Sequence, residues 1–110
     1  MEKNITPKMK GDYRMITASE ARDNVKMYKE ALYTTTKNAL QPVLKTISKG
    51  IEFHSRAGLS ETTFYPFEVP ELTTVEMKIT AKQVYQNVLS QKGFTIVENN
   101  WIKNVLKIRW

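Results

Sequence analysis

The feature that most constrains the fold is an apolar stripe that runs at helical spacing over residues 17–57. Its members recur at alternating steps of three and four residues, which places them on one face of a helix. They are Ala18, Ala21, Val25, Tyr28, Leu32, Thr35 or Thr36, Ala39, Val43, Ile47 and Ile51. Thr17 or Ser19 can cap the start of this helix, and Gly58 followed by Leu59 is typical of a helix end.

An unbroken helix of this length does not fit inside one small domain. It would be about 60 Å long, whereas a chain of this size folds to a diameter of roughly 35 Å. Pro42 lacks a backbone donor and clashes with the preceding turn, so the sequence predicts a kink or a break around 38–41. A break would give two helices that form a hairpin over a sheet. A kink would leave an apolar surface that we expect another subunit to cover.

A second helix is predicted in the C-terminal part of the chain. Thr73 to Glu76 has the form of a capping box, in which the Thr73 hydroxyl accepts from the Glu76 amide. The following apolar residues again keep helical spacing. We expect this helix to end at Lys92, because Gly93 can adopt the left-handed conformation that closes a helix.

The last residues predict a β-hairpin. Residues 94–97 and 105–110 are rich in apolar and β-branched side chains, and we expect them to pair as antiparallel strands joined by a loop over 99–104. Trp110 falls on the same face of its strand as Ile108. The alternation therefore predicts that this last residue belongs to the core.

Residues 61–69 alternate as a third strand would, and Pro66 predicts that this strand lies at a sheet edge, since proline cannot donate to a ladder. The fold class is therefore α+β. It has two to three helices, one of them long and kinked or broken near Pro42, packed on a small three-stranded, mainly antiparallel sheet. Residues 15–110 form one domain, and residues 1–14 are predicted to be a flexible basic arm.

Composition excludes several classes of site. The 110 residues include no cysteine and one histidine, His54, so neither a disulfide nor a zinc site of the usual types is expected. No convincing catalytic set is present, and the four glycines form no phosphate loop or dinucleotide motif. We therefore predict no enzymatic activity, no metal and no cofactor. No apolar run approaches the length of a membrane span, and the N-terminus lacks a secretory signal, so we expect a cytosolic protein without a membrane partner.

The net charge of +6 favours an anionic partner. The turn that follows the long helix carries Ser55 and Arg56, which offer a hydroxyl and a guanidinium beside backbone amides. Such a turn can cradle an anion, or it can be only a polar connection between a helix and a strand.

Three short motifs carry a resemblance to known proteins. They are Ile16-Thr17-Ala18-Ser19-Glu20-Ala21-Arg22, Lys92-Gly93-Phe94-Thr95-Ile96-Val97 and Leu106-Lys107-Ile108-Arg109-Trp110. The chain from Ile16 onward resembles a loose group of small tailed-phage proteins that open on a Thr-Ala-x-x-Ala-Arg-like helix and close on an Ile-Ser-Trp-like strand. Arg109 stands where that ending usually has serine. The resemblance implies a phage protein. Some members of this group are virion-associated, and small phage proteins of comparable size include sponges that sequester the nucleotide messengers of bacterial immunity.

Three functions follow as hypotheses. The first is a non-enzymatic, anti-defence binding protein that sequesters an anionic nucleotide in the host cytoplasm, as a homo-oligomer with sites where subunits meet. The second is a structural or assembly component of the virion, and the third is a nucleic-acid-binding module. The residues predicted to bind the ligand are basic, aromatic or hydroxyl-bearing: Arg22, Lys26, Ser55, Arg56, Tyr65 and Arg109.

Overall fold

The structure, a computed structural model, describes residues 14–110. The described part contains three helices and three strands: α1 Ala18–Ala39, α2 Gln41–Arg56, β1 Glu61–Phe64, α3 Val75–Gln91, β2 Thr95–Asn100 and β3 Val105–Arg109. The predicted α+β fold, with a long first helix and a three-stranded antiparallel sheet, is confirmed. The predicted basic arm, residues 1–14, lies outside the described residues except for Arg14.

Helix α1 begins with a capping box. Of the two predicted caps the structure shows Thr17, whose hydroxyl accepts from the Glu20 amide at 3.1 Å, while the Glu20 carboxylate accepts from the Thr17 amide at 2.9 Å. The Arg14 guanidinium donates to the same carboxylate at 2.8 Å. Arg14 and then the Thr17 cap hold the pKa of Glu20 below its usual value. The entry into α1 is therefore fixed by reciprocal local bonds.

Only Leu40 separates α1 from α2, and the helix kinks there instead of folding back. The Leu40 amide donates to the Thr36 carbonyl at 3.0 Å, and the Leu40 carbonyl accepts from the Leu44 amide at 2.8 Å. Helical bonding thus passes through the kink, and Pro42 sits in the first turn of α2, where its missing donor costs little. The described molecule is elongated, at 73 × 25 × 21 Å, as expected of two successive helices that do not fold back on each other.

The sheet has the order β1-β3-β2, so the C-terminal strand β3 is central and pairs antiparallel with both neighbours. Ile108 lies opposite Thr62 of β1 and Ile96 of β2. Strand β1 lies at the edge of the sheet, as predicted, but it ends at Phe64, so the predicted strand over 61–69 is too long and Pro66 lies outside it. A bulge between Ile96 and Glu98 interrupts the ladder of β2.

The predicted hairpin loop over 99–104 is too long. Asn99 and Asn100 belong to β2, and the turn occupies 101–104. The Asn100 carboxamide oxygen accepts from the amides of Ile102 and Lys103, both at 3.0 Å, so this residue braces the turn from inside the strand. Asn104 takes the left-handed conformation, at φ 55°, that such a turn requires.

Helix α3 starts one residue later than the sequence pattern predicts. Its cap is Thr74, whose hydroxyl accepts from the Met77 amide at 3.1 Å, and not Thr73. The capping-box motif favours Thr73, because Glu76 follows it by three residues, but the structure uses Thr74 as a simple cap, and the Thr73 hydroxyl donates to the Met77 sulfur at 3.3 Å. The end is as predicted: Lys92 is the C-cap, and Gly93 is left-handed at φ 90°.

The core lies where α2 and α3 meet the sheet. Its largest fully buried side chains include Tyr85, Phe67, Leu40, Leu106, Ile108 and Val84. The Tyr85 hydroxyl donates to the Pro66 carbonyl at 2.8 Å, and its ring stands edge to face with Phe67 at 5.3 Å. Burial, with a smaller contribution from the charge of Glu71, raises the pKa of Tyr85.

The prediction that Trp110 belongs to the core is wrong, since 36 % of it is exposed. Strand β3 ends at Arg109, so the alternation that buries Ile108 does not extend to the last residue. The Trp110 indole instead donates to the Leu59 carbonyl at 3.0 Å and packs edge to face against Phe94 at 6.4 Å. Trp110 therefore closes the end of the sheet from outside.

Most of α1 has little cover. Every residue over 18–31 is exposed except Glu20, which is half-buried, and burial begins only at Leu32. Val25 is 53 % exposed and Tyr28 56 % exposed. We call residues 18–31 the exposed half of α1. Helix α1 packs on α3, whereas α2 packs on β1, so nothing else in the described chain covers this half.

Candidate functional site

A groove of about 560 Å³ lies between α1 and α3. Helix α1 contributes most of its lining, and α3 contributes two carboxamides: the residues are Arg22, Val25, Lys26, Lys29, Glu30, Tyr33, Gln83 and Asn87. We call this the cationic groove. It contains two of the predicted ligand-binding residues, Arg22 and Lys26.

Helical geometry explains why the cations converge. Arg22, Lys26 and Lys29 follow one another at steps of four and three residues, so they lie on one face of α1. Tyr33 continues the same face by one more turn. On the other wall, the Asn87 carboxamide donates to the Tyr33 hydroxyl at 3.1 Å, which fixes the spacing of the two helices at the end of the groove.

The charges of the groove are not neutralised internally. Within residues 14–110 no ion pair or hydrogen bond engages the side chains of Arg22, Lys26 or Lys29. Glu30 is the one carboxylate in the described lining, which leaves two net positive charges. Cations without a protein partner are available to an external anion.

The turn at 55–58 is differently arranged. The amides of Ala57, Gly58 and Leu59 donate to carbonyls of the preceding helix, in the pattern that closes a helix end. The Ser55 hydroxyl donates to the Glu52 carbonyl at 3.0 Å, and the Arg56 guanidinium pairs with the Glu52 carboxylate at 2.7 Å. The groups that the sequence offered as an anion cradle are thus used within the chain.

Arg109 is also engaged. Its guanidinium lies 3.1 Å from the Glu61 carboxylate, which also receives Lys107 at 3.2 Å. Lys107 and then Arg109 hold the pKa of Glu61 below its usual value. Tyr65 is 64 % exposed and follows β1 at the end of the strand opposite to Glu61.

The structure therefore brings together Arg22 and Lys26 and leaves Ser55, Arg56, Tyr65 and Arg109 elsewhere. Arg22 and Arg56 are separated by about 50 Å of helix path, too far to hold one small ligand within one chain. The sequence interpretation missed Lys29, Tyr33, Gln83 and Asn87. Their signal was the continuation of the Arg22 and Lys26 spacing along α1, and the matching pair of amides one turn apart on α3.

The single histidine of the chain has a hydrogen-bond partner within the fold. His54 contacts the Thr62 hydroxyl through Nδ1 at 2.9 Å. Over residues 14–110, no group of three histidine or acidic side chains is placed to hold a metal ion. In the same range, no helix is both long and apolar enough to cross a membrane.

Comparison with protein-family models, with curated proteins and with solved structures finds no match to this chain.

Proposed function

We propose that this protein binds and sequesters an anionic, nucleotide-type ligand in the cationic groove without transforming it. The observation that carries the proposal is the convergence of Arg22, Lys26 and Lys29, none of which has a partner within the described chain. A phosphate group placed between them would receive several charge-assisted hydrogen bonds, which are stronger than neutral ones.

The size and lining of the groove suit a nucleotide. Its volume of about 560 Å³ falls within the roughly 300–1,000 Å³ of small-molecule sites. The apolar surface of Val25 and the ring of Tyr33 offer contacts for a base or sugar, and the Gln83 carboxamide offers both a donor and an acceptor. The groove is open, so its charges are partly screened and its affinity should fall as salt is added.

The residues that line the groove favour binding of the ligand without a chemical reaction. The described lining contains no histidine, cysteine or serine, and Glu30 is its only carboxylate, so it offers no pair of carboxylates for acid–base chemistry. In this proposal the ligand is held intact, and the protein acts by removing it from solution, as a sponge protein does.

The test is calorimetric titration with a panel of cyclic oligonucleotides and adenosine-ribose derivatives, followed by heat denaturation and chromatography of the released ligand. We expect binding, recovery of the unchanged ligand, and an affinity loss of about tenfold in Lys26→Ala, the lower end of the range for a hydrogen bond to a charged group. Lys45→Ala is the matched control, because this exposed lysine lies on α2 outside the groove.

Arg56→Ala tests the alternative position at the turn. Affinity lost in Arg56→Ala but retained in Lys26→Ala would place the ligand at the turn and contradict the groove. Turnover of a ligand would overturn the non-enzymatic proposal, and selective retention of long nucleic acid would favour the nucleic-acid-binding module.

A structural or assembly component of a phage particle is a second candidate function. The exposed apolar residues of α1, and an apolar groove of about 460 Å³ between α2 and α3, favour it as contact surfaces. Quantitative mass spectrometry of purified particles, which would find the protein at fixed stoichiometry if this candidate is correct, separates it from the first.

A further inference from the structure

A second hollow between α1 and α3 adjoins the cationic groove. Its volume is about 370 Å³, and it shares Lys29, Tyr33 and Gln83 with the groove, so these residues form a common wall. The rest of its lining is Tyr28, Leu32, Glu76, Ile79 and Thr80. We call it the carboxylate hollow, because Glu76 is the one carboxylate of its described lining. Cations thus dominate one of the two adjoining spaces, and a carboxylate lies in the other.

The Glu76 carboxylate is held by a single weak contact. Within residues 14–110 no cation pairs with it. The Tyr28 hydroxyl lies 3.4 Å from its Oε1 and 3.3 Å from its Oε2, so one proton is shared between two oxygens at distances longer than an ordinary O–H···O bond. Both oxygens keep unused lone pairs. They can therefore accept shorter bonds from a ligand that brings two donors side by side.

The surfaces beside this carboxylate are largely apolar. Leu32 is half-buried, and the Tyr28 ring and Ile79 are 56 % and 50 % exposed. A flat heterocyclic base can lie against such surfaces, whereas a sugar would place hydroxyl groups against them without partners. The hollow therefore favours a base over a sugar at Glu76.

From these contacts we infer that the ligand is a guanine nucleotide, with its phosphates in the cationic groove and its base in the carboxylate hollow. The inference rests on the proposed function, because it names the base of the nucleotide that is bound there. Guanine presents N1–H and the N2 amino group as adjacent donors, which match the two oxygens of one carboxylate. Adenine presents one donor beside an acceptor on the corresponding edge. Guanine should therefore displace the Tyr28 hydroxyl from Glu76, and adenine should not.

The common wall lies where the sugar of such a ligand would be. The Asn87 carboxamide donates to the Tyr33 hydroxyl at 3.1 Å, which holds that ring in the wall. The Gln83 side chain has no hydrogen-bond partner within the described chain, so it can donate to or accept from a sugar hydroxyl. The two spaces and the wall between them thus provide cations, a polar group and a carboxylate in the order of phosphate, sugar and base.

The experiment is calorimetric titration of the full chain at low ionic strength with four probes: inorganic tripolyphosphate and the 5′-triphosphates of guanosine, inosine and adenosine. All four carry a triphosphate, so differences among the nucleotides isolate the base. We expect guanosine triphosphate to bind about tenfold more tightly than inosine triphosphate, which lacks the N2 amino group, since one hydrogen bond to a charged group is lost. Adenosine triphosphate should bind more weakly still.

Glu76→Gln changes the pattern of donors and acceptors without changing the shape of the side chain. A carboxamide presents one acceptor and one donor, which suits adenine and opposes guanine. This variant should therefore lose the preference for guanosine triphosphate and bind tripolyphosphate no more weakly than the wild type. Glu98→Gln is the matched control, because this exposed carboxylate lies on β2 outside both spaces.

Tyr28→Phe keeps the ring and removes the competing hydroxyl, so it should bind guanosine triphosphate at least as tightly as the wild type. Weaker binding by Tyr28→Phe would overturn the inference. Equal affinity of the wild type for the guanosine and adenosine nucleotides would also overturn it, and a loss of both in Glu76→Gln would then place the ribose at the carboxylate. Either result leaves the proposed function standing. Failure of the wild type to bind any of the four probes would defeat both.

Discussion

Similar residues have different environments in two regions of the molecule. One region is the exposed half of α1, and the other is the packed body formed by α2, α3 and the sheet. In the body, Arg56 pairs with Glu52 and Arg109 with Glu61, whereas Arg22 on α1 has no such partner within the described chain. Tyrosines show the same contrast, because Tyr85 is fully buried and Tyr28 is mostly exposed. Side chains of the body thus stabilise the fold, whereas those of the exposed half are available to bind another molecule.

The two tyrosines give the largest expected difference. Tyr85→Ala should lower the free energy of unfolding by about 3–5 kcal/mol, as for other buried aromatic side chains, because it leaves a cavity beside Phe67. Tyr28→Ala removes only an exposed ring and a long hydrogen bond to Glu76, so its cost should be about 0.5 kcal/mol. Urea titration followed by circular dichroism measures both values. Equal costs would show that the two regions are not distinct.

Adding methyl groups should also lower the free energy of unfolding more in the body than in the exposed half of α1, but by a smaller difference than for the two tyrosines. A Cβ at Gly50 would stand 2.6 Å from a ring carbon of Phe64, where α2 crosses the sheet. Gly50→Ala should therefore cost about 1–3 kcal/mol, the range for overpacking, despite the better helix propensity of alanine. Ala21→Val in the exposed half is the comparison, and its cost should stay near 0.5 kcal/mol because only helix propensity changes. A stabilised Gly50→Ala would mean that the Phe64 ring moves aside freely.

Thr36 marks the border between the two regions. Its side chain is fully buried, and its hydroxyl has no hydrogen-bond partner, a state that usually costs about 1–3 kcal/mol. Thr36→Val keeps the shape and removes the hydroxyl, so we expect a melting temperature raised by about 5 °C. Thr35→Val, at an exposed position one residue earlier, should leave the melting temperature nearly unchanged. A lower melting temperature in Thr36→Val would indicate that the hydroxyl is satisfied in solution.

The smallest expected effect is a difference between the wild type and Glu61→Gln in how far the melting temperature falls in acid. Because Lys107 and then Arg109 hold the folded-state pKa of Glu61 below its usual value, the stabilisation from Glu61 is present above the unfolded-state pKa. It is lost as pH falls through the lower folded-state pKa. Between pH 6 and pH 3 the melting temperature of Glu61→Gln should therefore fall less than that of the wild type. Parallel melting curves at every pH would show that these exposed pairs add nothing to stability.

Sequence reasoning succeeded where one local rule decides the outcome. The left-handed glycines 58 and 93 each follow from a short pattern with a single physical solution, whereas the cap of α1 was narrowed only to Thr17 or Ser19. It failed where two local rules compete. Either Thr73 or Thr74 can act as a simple N-cap, and the structure uses Thr74 although the capping box favours Thr73. Asn99 suits a turn as well as a bulged strand. Only the packed structure chooses between such alternatives.

The contacts of the candidate site show the same division between those that local sequence spacing predicts and those that depend on packing. The convergence of Arg22 and Lys26 is readable from spacing on one helix, and so is the pairing of Arg56 with Glu52 one turn earlier. The pairing of Arg109 with Glu61 depends on the register between β1 and β3, which no local pattern specifies. The second wall of the groove depends on how α1 packs on α3, which no local pattern specifies.

The placement of the tryptophans has an optical consequence. Trp101 and Trp110, the two in the chain, both lie at the β2–β3 hairpin, one in its turn and one just after its last strand. The exposed half of α1 has no tryptophan, although it supplies many of the helical peptide bonds. Indole fluorescence therefore reports on the sheet alone, while far-ultraviolet ellipticity reports mainly on the helices. On heating, ellipticity should begin to fall while the fluorescence maximum is still unchanged, and the gap between the two curves measures fraying of α1 without any label.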